Sequence, residues 1–486
     1  MHIRAACHID RAAAGWLSET AFNTLAMGFE PFAGAGSGEG RMATLDHPAA
    51  GVAGHESDPV PRPDVEREAA TSGQADAAAP GIAAPNTLVT SLKRSAAVTP
   101  YRFRDLLALD DFERHARRFL PPMIFQYVAG GAETGSALRR SRDAYADYAF
   151  LPRMMRDTAG RDTAVELFGR RYAAPFGIGP LGGAAFIAYR GDLVLAEAAR
   201  RMAVPMILSA SSLIRLEDVH AQNPDAWYQA YLPGDQRRID RLVDRVAAAG
   251  YRTFVVTADT PTLGNREHNI RTGFSMPMRI TPKVMWQSAT HPRWLLGVVA
   301  RTFLKHGAPH FENTEAERGP PMLSQGSVRN SIDRDRLSWT NLEAIRRRWP
   351  GNLLVKGLLA PEDVEIARGC GADGVILSTH GGRQLDHVVA PLDVLPEIAA
   401  RKGDLKLIVD SGIRRGTDVI KALALGADFV LLGRPFMFAA ALGGAAGVAH
   451  AMRILKEEIH RDMAFLGVNR LSELGPEFLR HLPPRG

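Results

Sequence analysis

Cysteine is nearly missing: Cys7 and Cys370 are the only two in 486 residues, too few for a disulfide framework or a cysteine metal site. A reducing compartment fits that scarcity, and no CxxCH run marks an attached haem. No uninterrupted apolar run approaches the roughly 20 residues of a spanning helix, so an integral membrane protein is not expected. The formal net charge of +6 is modest and is not gathered into one basic tract, which argues against nucleic acid as a partner. No GxGxxG follows an early strand, which weakens a dinucleotide-binding fold. What is present is 46% hydrophobic and 23% charged residues, the balance of a globular chain with room for one large domain plus extras.

Residues 1–98 stand apart. AAAGW, GAGSGEG, HPAAGVAG and SGQADAAAPGIAAPN are rich in Ala, Gly, Pro and Ser, without apolar periodicity, and read as a disordered extension. His8, Asp10 and Arg11 interrupt the apolar run a secretory signal needs; an organelle presequence and a true start at Met42 are alternatives. Ordered structure is expected from TPYRFRDLLALDDFERHARRFL, where Leu106, Leu107, Leu109 and Phe112 recur at near-helical spacing. Residues 99–486 then form the second region.

From Pro175 the chain alternates apolar strand, polar turn and amphipathic helix. Candidate strands are PFGIGP (175–180), VPMILSA (204–210), AWYQAYL (226–232), TFVVTAD (253–259), NLLVKG (352–357), DGVILS (373–378), LKLIVDS (405–411) and DFVLLG (428–433). Eight such units with intervening helices predict an α/β fold, a (β/α)8 barrel, with chemistry on the loops after the strands. Ser209, Gln229, Tyr231, Thr257, Asp259, Lys356, Ser378, His380, Asp410 and Arg434 fall at those strand ends. Barrel interiors favour branched aliphatics, so this many polar groups at one rim point to a site. In the last two units, LIVDSGIRRGTD and VLLGRPF set glycines beside Arg414 and Arg434, where close backbone approach and guanidinium donors suit a phosphate.

The runs LLVKGLLAPEDV, LSTHGGRQLD and LIVDSGIRRGTDVIKALALGADFVLLGRPF, with FQYVAGGAET, ILSAS, YQAY and VTADTPTLGNREHNIRTGF, resemble the FMN-dependent 2-hydroxy-acid dehydrogenase/oxidase family from about residue 100 to 450. The resemblance implies FMN at the C-terminal face of the barrel. It makes His380 the general base and Asp259 the carboxylate that orients it. It places Arg383 on the substrate carboxylate, with Tyr127, Tyr231 and Arg266 around the substrate. It assigns Lys356 to the flavin N1/C2 edge, and Ser209, Gln229, Thr257 and Ser378 to the flavin or its ribityl chain. Asp410, Ser411, Gly412, Arg414, Gly433 and Arg434 match its ribityl and phosphate contacts. Pro180-Leu181-Gly182 stands where the family often has Pro-Thr-Ala beside the flavin, which bears on how oxygen is treated. Ser411 replaces a frequent glycine, a small change on sequence grounds. Ser211 occupies the place of a tryptophan of glycolate oxidase, leaving volume for a larger substrate.

One unit is too long: strand four ends at Asp259 and strand five starts near Asn352. The insertion, at about 275–335, carries Met276, Met278, Trp286, Trp294, Leu295, Leu296, Val298, Val299 and Phe303 beside Arg279, Lys283, Arg293, Arg301 and Lys305, with no acid from Phe274 to Phe311. That mixture suits an anionic membrane surface, with a lid or subunit contact as the alternative. It also resembles, at HPRWLL and HGAPHF, the membrane-docking insertion of bacterial mandelate and lactate dehydrogenases. The resemblance therefore implies a cytoplasmic enzyme, peripheral on the cytoplasmic face of the inner membrane, that oxidises a small (S)-2-hydroxy acid, lactate- or mandelate-like, to the 2-oxo acid and passes electrons to quinone or another membrane acceptor through residues 275–311, and it implies a homotetramer. An oxygen-using oxidase or monooxygenase on the same barrel is the alternative. No metal site is expected.

Overall fold

The computed structural model describes residues 103–322, 324 and 333–483; the extension expected over 1–98 lies outside them. Eight parallel strands make one sheet: β1 (Phe176–Ile178), β2 (Ile207–Ser209), β3 (Trp227–Ala230), β4 (Thr253–Thr257), β5 (Asn352–Leu358), β6 (Gly374–Leu377), β7 (Lys406–Val409) and β8 (Phe429–Leu432). Each overlaps its expected stretch. Their order is β1-β8-β7-β6-β5-β4-β3-β2. A bridge between Ile178 and Met206, with the Ile178 N–H donating to the Pro205 carbonyl at 2.9 Å, joins β1 to β2 and closes the barrel.

Strand residues alternate between two cores, as the period of two requires. Ile207, Trp227, Val255, Leu354, Ile376, Ile408, Phe429 and Leu431 pack with one another inside. Their neighbours, among them Tyr228, Phe254, Val355, Val375 and Val430, pack under the surrounding helices. A hairpin of Val165–Leu167 and Arg170–Tyr172 adds Leu167, Phe168 and Tyr172 to the inner cluster. Phe168 meets Trp227 and approaches Gly374, the first residues of β3 and β6, so the hairpin stoppers the N-terminal end and leaves the opposite end for chemistry.

Two expectations change. The first helix begins at Leu109 and runs to Phe119. Leu106 is buried in the turn before it while Leu107 is 74% exposed, because that turn swings the two leucines apart. The final helix, Arg434–Leu466, is long and apolar enough to cross a membrane by length and composition, although no such stretch was expected. It packs against helices Leu109–Phe119 and Gly191–Met202, most of its apolar window is buried, and its backbone breaks at Gly444. It serves as a core helix.

Between β4 and β5 the chain forms helices Glu267–Thr272 and Pro282–Ala289, then a continuous helical stretch from Pro292 to His306 with a π turn over Leu295–Ala300. Gln287 pins it: its side-chain oxygen accepts from the Met123 N–H at 2.8 Å and its amide donates to the Thr272 carbonyl at 2.9 Å. The Trp294 indole donates to the Phe186 carbonyl at 2.7 Å, and the Arg301 guanidinium lies 3.9 Å over the Tyr189 ring. Trp294 and Val298, grouped by sequence with membrane-facing residues, are thus buried anchors. Ile280, Met285, Trp286, Leu296 and Leu304 are exposed.

Candidate active site

The loop after β6 makes three consecutive left-handed residues, His380 (φ 54°), Gly381 (φ 66°) and Gly382 (φ 69°). Two glycines keep that turn affordable, since they carry no Cβ to clash. They also make room for neighbours: a Cβ on Gly381 would fall 2.6 Å from Arg434 Nη1, and one on Gly382 2.5 Å from the Leu138 backbone nitrogen. The turn brings His380 and Arg383 into one open cleft at the C-terminal end of the barrel.

His380 Nδ1 lies 3.0 Å from Asp259 Oδ1, and its Nε2 is 3.4 Å from the Tyr231 hydroxyl. Burial pushes the imidazole pKa down, more than the adjacent carboxylate raises it, so His380 is neutral near pH 7 and free to take a proton. Burial opposes charge on Asp259 too, but His380 and Lys356 together hold its carboxyl below the usual range. Arg383 donates to the Tyr127 carbonyl at 2.6 Å, and its guanidinium lies 5.1 Å over the Tyr127 ring. Burial, and then Arg266, disfavour its positive charge, so an incoming carboxylate relieves both. Arg266 donates to the Arg383 carbonyl at 3.0 Å and to Gln384 Oε1 at 2.6 Å. The Tyr127 hydroxyl is already engaged, donating to the Gly182 carbonyl at 3.1 Å.

Lys356, at the end of β5, is buried and pairs with Asp410 Oδ2 at 3.0 Å while donating to Ser378 Oγ at 2.6 Å. Burial works against its charge, but Asp410 and Asp259 raise its pKa overall. Pro180, Leu181, Gly182, Ser411, Gly412 and Gly433 line the same cleft. Ser411 is more than a minor replacement: at φ 75° its hydroxyl accepts from the Thr379 and Gly381 N–H groups at 3.3 and 3.2 Å and donates to Asp410 at 2.8 Å. Gly412 is required by packing, since a Cβ there would lie 1.8 Å from the Ser141 carbonyl oxygen. At this end Arg434 donates to the carbonyls of Val128, Gly130 and Gly381 at 2.9, 2.9 and 2.7 Å. Burial and the charges of Arg383 and Arg414 hold its pKa well below normal. Crowded, largely screened guanidiniums are stabilised by an anion, as a phosphate would supply.

Ser209, Gln229, Thr257 and Ser378 are buried at the ends of their strands. Both polar atoms of the Gln229 side chain and the Thr257 hydroxyl are buried without a hydrogen-bond partner among the described residues. Buried polar groups are rarely left so, and a flat heterocycle with amide-like edges would satisfy them. These residues, Lys356 and the arginine cluster fit FMN.

Residues that the sequence reading missed also line the cleft: Thr260, Leu263, Gln384 and Arg334. Gln384 donates to the carbonyls of Asp259 and Thr262 at 3.1 and 3.0 Å, bracing the pair His380–Asp259; it lay within the LSTHGGRQLD motif. Arg334 belongs to no motif and reaches the cleft only through the folding of the insertion.

The chain is 36% identical over 380 residues to a protein named (S)-mandelate dehydrogenase from Pseudomonas putida, covering 78% of this chain and 95% of that one. It is 38% identical over 380 residues to an L-lactate dehydrogenase from Xanthomonas oryzae pv. oryzae, covering 76% and 96%. Among solved structures, one described as the monotopic membrane protein (S)-mandelate dehydrogenase matches with a TM-score of 0.73 at 35% identity, over 78% of this chain and all of that one. A mandelate oxidase matches at 0.65 and 33% identity, over 77% and 98%. The model of the family described as FMN-dependent dehydrogenase matches residues 116–481, and the chain belongs to that family.

Proposed function

We propose that this enzyme oxidises an (S)-2-hydroxy acid to the 2-oxo acid. The observation that carries the reading is the joint placement of a neutral, carboxylate-oriented His380 and the half-buried Arg383 on one turn. Relatives named for mandelate and lactate support the substrate class.

Arg383, assisted by Arg266, holds the substrate carboxylate; a guanidinium supplies two parallel donors where lysine offers one point charge. His380 Nε2 takes the proton from C2 or its hydroxyl, beside Tyr231. Asp259, on Nδ1, fixes the ring and stabilises the imidazolium that results. FMN, when bound, accepts the electron pair that leaves C2. Lys356 supplies fixed positive charge where the electrons arrive. Ser209, Gln229, Thr257 and Ser378 hold the ring and ribityl chain, with Asp410, Ser411 and Gly412. Arg414, Gly433 and Arg434 would take the phosphate, and Pro180, Leu181 and Gly182, which line the same cleft, would hold the ring.

Electrons then pass to quinone at a membrane, with the exposed apolar and basic residues of 275–311 as the docking face on the cytoplasmic side. The working assembly is a homotetramer. Bleaching of the flavin's visible absorbance by (S)- but not (R)-2-hydroxy acids is the expected result. Bound FMN that no 2-hydroxy acid reduces would overturn the reading. Hydrogen peroxide formed in step with substrate, in place of reduction of a quinone analogue, would favour the oxidase alternative that the mandelate oxidase likeness keeps in view.

A further inference from the structure

Ser411 stands two residues after β7 with its backbone in the left-handed region (φ 75°), a conformation that favours glycine. Its surroundings fix that backbone: Gly412 packs against the Ser141 carbonyl, and the Tyr145 hydroxyl donates to the Ser411 carbonyl at 3.4 Å. The hydroxyl that glycine would lack is fully used. It accepts from the N–H groups of Thr379 and Gly381, and its own proton goes to Asp410 Oδ1.

These bonds belong to a closed polar ring. Asp410 Oδ2 pairs with Lys356 Nζ at 3.0 Å, Lys356 donates to Ser378 Oγ at 2.6 Å, and Ser378 Oγ accepts from the His380 N–H at 2.9 Å. The ring joins the turn that carries His380 to the lysine that faces the cofactor. On the Ser411 side every dipole points its positive end toward Asp410: two amide N–H groups meet the hydroxyl oxygen, and the hydroxyl proton meets the carboxylate. Hydrogen bonds in series polarise one another, and a carboxylate engaged by a donor offsets less of a neighbouring positive charge. The Lys356 side chain is 4% exposed and that of Asp410 15%, so little water screens the effect.

We propose that Ser411 is a positioning residue that raises the reduction potential of the bound flavin by acting through Asp410 on Lys356. This rests on the flavin and hydroxy-acid reading above and deepens it. FMN that takes two electrons and one proton gains one negative charge, and Lys356 stabilises that charge better the less Asp410 offsets it. The test reduces the FMN-loaded full chain with dithionite beside a reference dye and reads the potential from the two spectra, with no hydroxy acid present. Ser411→Ala and Ser411→Gly are each expected to make reduction about three- to tenfold less favourable, roughly 15 to 30 mV lower for a two-electron couple, with FMN retained. Matching shifts identify the hydroxyl, because glycine relieves the left-handed backbone and alanine does not. Made on Asp410→Asn, the Ser411→Ala change is expected to move the potential by less than about twofold, since the group it acts through has lost its charge. An unchanged potential, a shift with alanine alone, or a full shift retained on Asp410→Asn overturns the proposal. Should Asp410→Asn not hold FMN, the alanine and glycine variants decide. Lowered potentials in an enzyme that no hydroxy acid reduces would leave the tuning standing and the reaction reading refuted. Reduction by a hydroxy acid with potentials unmoved would do the reverse.

Discussion

His380 holds a left-handed backbone conformation (φ 54°) that non-glycine residues enter at a cost, and such strain concentrates where geometry is functional. Ser411, also left-handed, steadies it by bonding the backbone on both sides of His380. Ser411→Ala keeps the strained backbone but removes those bonds; at a net ~1 kcal/mol for the lost bonding, kcat should fall about fivefold, read from flavin bleaching rates. His380→Gln should retain FMN and lose about 10²- to 10⁴-fold in kcat/KM, the usual contribution of a positioned general base. Because burial lowers the His380 pKa below its ordinary 6.5, kcat/KM should rise with pH on an acid limb below 6.5 and be flat at neutrality. An acid limb centred above 7 would contradict the neutral base. His380, Arg383 and Lys356 were legible from their motifs. Their partners were not all so: nothing in the sequence says that Tyr127 spends its hydroxyl on Gly182, or that Arg334 arrives beside Tyr231, since both depend on tertiary approach.

Helix Gly191–Met202 carries a different kind of unfinished business. Asp192 in its first turn is 1% exposed, and burial raises its pKa to about 7 although Ser212 bonds it. An acid with a raised folded pKa destabilises as pH climbs from its unfolded value near 4 to above 7, because only the unfolded chain gives up the proton readily. The penalty is on the order of 4 kcal/mol at pH 8. Asp192→Asn should therefore raise Tm over the parent by several degrees at pH 8 and by clearly less at pH 5, measured by calorimetry. An equal change at both values would show that Asp192 folds ionised. At this scale the strands were the easiest feature to read, because parallel strands buried on both faces are nearly continuous apolar runs. The insertion was harder: Trp286 and Trp294 look alike in sequence, and only tertiary contacts, core packing and the hydrogen bond to Phe186 among them, distinguish the buried one.

Across the molecule, exposed Ile280, Met285, Trp286, Leu296 and Leu304 share the insertion with exposed Arg279, Lys283, Arg293, Arg301 and Lys305. Apolar insertion and attraction to anionic lipid then act together. Flotation with vesicles containing phosphatidylglycerol should recover the enzyme, recovery should fall with salt, and Trp286→Glu combined with Leu296→Glu should reduce it about tenfold or more. Recovery unaffected by the double change would place the docking face elsewhere.

The carbonyls at the end of helix Pro122–Ala129 bind Arg383 and Arg434. Those partners lie more than 250 residues further along the chain, so a segment made early must wait for two arginines made late. Long-range closures of this kind slow folding. During synthesis the pocket therefore has no finished wall until the eighth strand has emerged, and a chain cut short before Arg434 would hold neither cofactor nor substrate.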